Sequence, residues 1–163
     1  MPVVWVVLGV VIMGSAVRAK RSPRALRIGL WAVSALFIAA GALVNLAYLL
    51  RGDDYGGFAE GSSFAFVRDT WASLVVPNHH VFIGLLVAFE LTVGVLVLLG
   101  HRARQVGLVA AIVFHVLLMS FAWAIALWSV PMIVALALLL RADRRVAEAE
   151  RVGATRRDLS SVG

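Results

Sequence analysis

A glutamate and a histidine set inside long uncharged stretches are the residues of this 163-residue chain best suited to chemistry. Glu90 stands midway along the apolar run 81–100, and His115 lies inside the uncharged run 106–140. An ionisable group at such a position is costly in hydrocarbon, so it is paired, buried among helices or functional. If the segments ending at Gly100 and beginning near Val106 form an antiparallel hairpin, residues at equal depth have numbers summing to roughly 205, which sets Glu90 level with His115. A neutral glutamate donating to imidazole, or a carboxylate paired with imidazolium, would satisfy both groups. Two readings of such a pair stay open: a proton-relay or quinone-head-group site, and a hydrogen bond that joins two helices.

Other polar residues offer weaker chemistry. Asn45, Tyr48, His79 and Ser120 are candidate lining of a pocket open to the outer side, although such groups more often hold helices together. His79 and His80, with Asp53, Asp54 and Glu60 nearby in sequence, have the donor types for a divalent metal. Adjacent helical positions do not share a face, however, and the acids lack ligand spacing, so no metal site is expected. A b-type haem needs two facing histidines, and His115 has no second histidine at its depth. His101 is expected at the cytoplasmic rim. Cysteine is absent, which excludes disulfides, thiolate metal sites and cysteine nucleophiles for this chain alone. No nucleotide loop, catalytic triad or zinc motif is present. The catalytic residues, if any, are not identifiable, and the sequence leans toward a protein without catalytic activity of its own.

The elements that must position these residues are transmembrane. The AVILMFWYC set makes up 62% of the chain and the mean hydropathy is +0.96, against about 45–50% apolar residues in soluble domains. Continuous apolar runs rather than alternation point to helices, the form that satisfies its own backbone in lipid. Residues 3–17 form a short apolar run followed by Arg18, Lys20, Arg21, Arg24 and Arg27. That order is the reverse of a secretory signal, so the run reads as a membrane anchor, at the short limit for spanning, or as a docking element for another subunit. Residues 28–50 are uncharged and long enough to cross. In the loop 51–80, Phe64, Val67, Trp71 and Leu74 recur at helical spacing, predicting an amphipathic helix on the outer interface that Pro77 stops. Residues 81–100 cross back to a basic turn.

The 35-residue run 106–140 would make a single helix of about 52 Å, too long for a ~30 Å core, so it predicts two helices. Trp123, Trp128 and Pro131 near its midpoint suggest the turn, with proline in a first helical turn. This arrangement puts 13 of the 15 Lys and Arg on one side, as the positive-inside rule asks. The expected architecture is therefore all-α: residues 1–27 as an N-terminal anchor and basic loop, 28–140 as a four-helix membrane core, and 141–163 as an Arg-rich cytoplasmic tail that continues as helix and frays. The N-terminus is expected outside and the C-terminus in the cytoplasm. The basic residues lack interleaved aromatics, so the lipid bilayer rather than nucleic acid is their partner, and a solvated tail is favoured over headgroup binding.

Glu90, Gly94, Leu96 and Gly100, in the pattern E-x-x-x-G-x-L-x-x-x-G, are followed by Arg102 and Arg104. Together with the long outer loop, this resembles the DoxX-like family of small bacterial membrane proteins, relatives of the membrane subunit of thiosulfate:quinone oxidoreductase. The likeness runs from Leu30 to Arg141. It departs in the extra N-terminal helix and in lacking a glycine-rich ending. The resemblance implies a four-helix core, with Glu90 as the position carried over. It also implies an accessory or anchoring subunit of a redox or quinone-linked membrane assembly, partnered by other subunits or by copies of itself. Heavy use of Arg, Ala and Val suggests a high-GC bacterium and its plasma membrane. Two alternatives remain: a small proton-coupled transporter, and an enzyme acting on a lipid-soluble substrate at the outer interface through His79, His80 and the loop acids.

Overall fold

The computed structural model describes residues 2–160, and among them every regular element is helical. Helix α1 spans Pro2–Ala19, α2 Pro23–Ala35 and α3 Leu43–Leu50, the last two joined by a π-helical stretch, Leu36–Ala42, into one rod. After a loop come α4 (Ala65–Thr70), α5 (His79–Leu98), α6 (His101–Leu118) and α7 (Trp123–Ser160). Four helices are long and apolar enough to cross a membrane: Pro23–Leu50, Ala65–Leu98, His101–Leu118 and Trp123–Ala154. Val3–Ala19 is shorter. Large apolar side chains such as Trp31, Leu85, Val113 and Leu127 stay exposed around the bundle. An apolar surface of that extent calls for lipid against it.

Local chemistry sets the turns. Ser22 has an extended backbone and its Oγ accepts from the Ala25 N–H at 3.3 Å, while Pro23 occupies the first helical turn, so α2 starts there. Helix α1 is not left outside the bundle: it packs on α2 and α7, with Ile12 and Ala16 buried. The approach is close because Gly9 has no side chain; a Cβ there would lie 2.1 Å from the Trp128 ring. On α5, a Cβ at Gly94 would lie 2.4 Å from Ile38 Cγ1 and 3.3 Å from the Ser34 carbonyl. These contacts run α2 antiparallel to α5. They also bring the α1–α2 turn, the α5–α6 turn and the segment after Leu140 to one end of the bundle, the basic end. The loop 51–64 and the α6–α7 turn form the other, loop end.

Two expectations at prolines change. The helical segment around Val67 and Trp71 is present, but Pro77 does not stop it. A π-helical turn (Trp71–Val75) and a 3-10 turn (Val76–Asn78) carry the chain straight into α5. Proline sits in the first positions of that 3-10 turn, where its missing N–H costs little. Val67 and Val75 are the buried positions of this segment, whereas Phe64 and Leu74 stay exposed. The run 106–140 is indeed two helices, yet the turn falls at 119–122, ahead of both tryptophans. Pro131 therefore lies inside α7 and not in its first turn. Trp128 turns inward onto Gly9 instead of marking an interface. The tail continues as helix to Ser160, and residues 161–163 lie outside the described residues.

Candidate functional site

The loop end carries a cavity of about 370 Å³ that reaches down to Glu90. Its wall is built from the upper half of the α2–α3 rod (Ala40, Val44, Asn45, Tyr48), from α5 (Ile83, Leu86, Glu90) and from α6 (Phe114, Leu118). Trp5 of α1 closes one side. Tyr55, Phe58, Trp71 and Phe121 line it from the loop end. Their rings brace one another: Phe58, Trp71 and Phe121 have mutual centroid separations of 5.0–5.2 Å. Trp71 Nε1–H donates to the Tyr55 carbonyl at 2.8 Å. Offset and edge contacts of this kind make a stiff roof.

The loop sequence Asp53-Asp54-Tyr55-Gly56 holds that roof in place. Asp53 Oδ1 accepts from the Tyr55 N–H and Asp54 Oδ1 from the Gly56 N–H, each at 2.8 Å. These are successive Asx turns, which tolerate a left-handed residue. Tyr55 takes that conformation, with φ of 58°. The two aspartates thus spend carboxylate oxygens on the turn. A second tether joins the loop to the α6–α7 turn, where Ser62 Oγ–H donates to the Ser120 carbonyl at 2.6 Å.

At the deep end Glu90 is only 3% exposed. Its partner is Asn45, whose Nδ2–H donates to Oε2 at 2.9 Å. The Tyr55 hydroxyl donates to the Asn45 carbonyl at 2.9 Å and lies 3.4 Å from Asn45 Oδ1. Burial first, and then the nearby charges of Asp53 and Glu90 and the neighbouring Tyr48, push the Tyr55 hydroxyl above its ordinary pKa, so it stays a donor. Gly41, in the π-helical stretch, gives the carboxyl its space: a Cβ there would be 2.6 Å from Oε1. π-Helical turns recur at functional sites.

His115 is equally buried, but no hydrogen bond joins it to Glu90. Its Nδ1 lies 2.8 Å from the Ala111 carbonyl, one turn back on its own helix. A carbonyl can only accept, so Nδ1 carries the proton there. Glu90 and His115 instead share the lining of a small void of about 20 Å³ beside the cavity, room for a single water-sized molecule. Depth arithmetic thus brings the two side chains to one void without predicting who bonds to whom.

Of the four pocket-lining candidates, Asn45 and Tyr48 line the cavity, whereas His79 and Ser120 do not. The His79 ring turns to the Val76 carbonyl at 2.9 Å and stacks on His80 with centroids 4.1 Å apart. Ser120 Oγ–H donates to the Leu117 carbonyl within its own turn. Among the described residues, no group of three or more His, Asp or Glu is placed to hold a metal ion. The small residues 39–42 are legible as a place of close helix approach, and Gly41 is where the Glu90 carboxyl comes in; the aromatic roof is not legible in that way. The clustering of Tyr55, Phe58 and Trp71 in a loop otherwise rich in Gly, Ser and Asp was the available signal.

A second polar cluster lies at the basic end, where His101 is expected at the rim but Asp143 is not singled out by the sequence. Asp143 is fully buried, with His101 Nδ1 at 2.9 Å, Arg104 Nη1 at 2.6 Å and Gln105 Nε2 at 3.2 Å. Arg104 also donates to the Val97 and Leu99 carbonyls that end α5, and His101 Nε2 lies 3.1 Å from Glu150. Its contacts tie the middle of α7 and the end of α5 to the start of α6, so it clamps three helices.

These features define an integral, multi-pass helical membrane protein with an aromatic-roofed apolar cavity ending at a buried Glu–Asn pair. Comparison with known protein families, with curated proteins and with solved structures finds no match to this chain.

Proposed function

We propose that the protein binds a lipophilic ring compound in this cavity, and that it serves as a DoxX-like accessory or anchoring subunit of a quinone-linked redox assembly in a bacterial plasma membrane. The observation that carries the binding part is the cavity itself. Its volume lies within the range of about 300–1,000 Å³ typical of small-molecule sites, and its lining is mostly apolar and aromatic with one convergent polar pair. A quinone head group needs flat apolar walls and, because its carbonyls only accept, a hydrogen-bond donor at one end. Phe114 and Trp5 offer the walls, and Glu90 in its protonated form, with one oxygen accepting from Asn45, offers the O–H. The volume suits the ring and not a long isoprenoid tail, which would run out into the bilayer. The redox association rests on the sequence resemblance alone, and the basic end would face the cytoplasm by the positive-inside rule.

The test uses the two tryptophans in the lining, Trp5 and Trp71. Titration of the detergent-solubilised protein with a short-chain benzoquinone should quench their fluorescence saturably. Val44→Trp, which fills the cavity, should abolish the effect, and Glu90→Leu should weaken it about tenfold, the worth of one good hydrogen bond of ~1.4 kcal/mol. Non-saturable quenching that is identical in all three proteins would end this reading. A proton-coupled carrier is favoured by one observation, the void shared by two ionisable groups, Glu90 and His115. It requires flux in proteoliposomes that Glu90→Gln stops.

A further inference from the structure

At the basic end, Arg102 of α6 and Arg144 of α7 stand on either side of a surface groove floored by Gln105, Val106, Val109 and Ala110. Val106 and Val109 are 60% and 42% exposed, so the floor continues onto the lipid-facing side of α6. Neither guanidinium forms an ion pair or side-chain hydrogen bond among the described residues. Asp143 is committed to His101, Arg104 and Gln105 and Glu150 to His101, and Glu148, one turn on from Arg144, forms no ion pair with it. Two cations without an ion-pair partner among the described residues therefore sit at the head of an apolar strip that runs into the region lipid must cover.

That combination specifies an amphiphile with an anionic head. We infer that the groove is a binding site for an anionic phospholipid, with its phosphodiester between Arg102 and Arg144 and an acyl chain laid along Val106 and Val109. Guanidinium is the side chain best matched to phosphate oxygens, because its planar fork donates in pairs. A free phosphate would meet the same two arginines but gain nothing from the valines. Another concavity at this end, formed by Val17, Arg18, Lys20, Arg21 and Ser22 in the α1–α2 turn, has more positive charge and a single apolar residue. It attracts anionic surfaces without holding one chain. The site is at the opposite end of the bundle from the cavity, so it stands or falls separately from the quinone reading.

The experiment is native mass spectrometry of the full chain in mild detergent, titrated with phosphatidylglycerol, phosphatidylcholine or inorganic phosphate. The readouts are retained adducts and the unfolding midpoint. Wild-type protein should keep one phosphatidylglycerol preferentially and gain several degrees in midpoint, with no such gain from phosphatidylcholine or phosphate. A basic residue near an anionic lipid surface contributes about a factor of five, so Arg102→Gln with Arg144→Gln should weaken retention about 25-fold. Lys20→Gln with Arg21→Gln removes the same charge elsewhere and should leave retention within about twofold. Equal retention of the two lipids would overturn the proposal, as would equal losses in both double variants, or stabilisation by phosphate alone. Both substituted arginines are exposed, and an unchanged midpoint in phosphatidylcholine verifies that the variant is folded.

Discussion

Replacing Asn45 with leucine isolates the polar contact that anchors the cavity. The substitution removes the 2.9 Å bond to Glu90 Oε2 and leaves a nearly buried carboxyl with no side-chain donor. Hydrogen bonds to charged groups in soluble proteins contribute about 1.5–3 kcal/mol, while side-chain pairs measured inside membrane proteins average about 0.6 and reach about 1.7. The upper membrane value applies here. The carboxyl is 3% exposed and the Tyr55 hydroxyl lies 3.4 Å from Oδ1 of the donor amide, so neither partner finds an easy substitute. The expected coupling is about 1.5 kcal/mol, which for a chain of this size is a fall of about 3–6 °C in unfolding midpoint. A cycle of Asn45→Leu, Glu90→Leu and the double variant in one detergent measures it. The double variant should be more stable than Asn45→Leu alone, because an unpartnered buried carboxyl costs more than an absent one. Strict additivity, with a coupling below about 0.3 kcal/mol, would refute the pairing and with it the geometry of the cavity floor.

The other predictions are read by the same unfolding measurement or by titration. Gly94→Val drives a branched side chain into Ile38 and the Ser34 carbonyl and should cost about 3 kcal/mol, the upper range for overpacking, whereas Gly41→Ala presses only on the end of the Glu90 side chain and should weaken ring binding more than stability. Asp143→Leu strands Arg104 and His101 at the three-helix clamp and should cost about 3 kcal/mol; an unchanged midpoint would show that the clamp is dispensable. The Tyr55 hydroxyl is raised by burial and then by the charges of Asp53 and Glu90, so the tyrosinate absorbance lost in Tyr55→Phe should appear above pH ~10. Because the folded state holds that proton more tightly, the stability it contributes is complete below the unfolded pKa and is lost as pH rises through the folded one. A Tyr55 signal that appears at or below pH ~10 would contradict the placement.

The helices were legible because hydropathy and helical length are local properties of the chain. The α5–α6 hairpin was legible too, since a short basic turn fixes which residues share a depth. The partner of Glu90 was not. Asn45 comes from a helix separated from α5 by the whole outer loop, so no depth sum registers the two rods against each other. Only tertiary contacts such as Gly94 on Ile38 set that register. His115 misled for a related reason. A buried imidazole was expected to need a partner on another helix, but it can donate to the carbonyl four residues back, as serine and threonine do. Pro77 is tolerated because the first positions of a 3-10 turn need no N–H bond, whereas Pro131, inside α7, loses that bond and crowds the carbonyl four residues back, a cost the packed helix carries.

The position of the cavity follows from how the two ends of the bundle are closed. At the basic end Arg104 and Asp143 tie α5, α6 and α7 together, and the buried cluster there includes Val97, Leu108, Leu136 and Leu139, all fully enclosed. Toward the loop end the buried residues thin to a small cluster of Ala42, Ile83 and Val87. Fewer helix side chains draw the rods together there than at the basic end. The gap is bridged by Tyr55 and Phe58 of the loop together with Trp71 of the π-helical turn, against Phe121. A roof made in part by a loop can open without breaking a helix, whereas the clamp at the other end cannot be released without stranding a buried charge. Access to the cavity should therefore be governed at the loop end, by the bond from Trp71 Nε1–H to the Tyr55 carbonyl. Trp71→Phe, which keeps the ring contacts and deletes that 2.8 Å bond, should speed ligand exchange while changing equilibrium affinity by less than about threefold, under ~0.7 kcal/mol. If affinity falls tenfold and the exchange rate stays constant, the loop is part of the binding surface and not its gate.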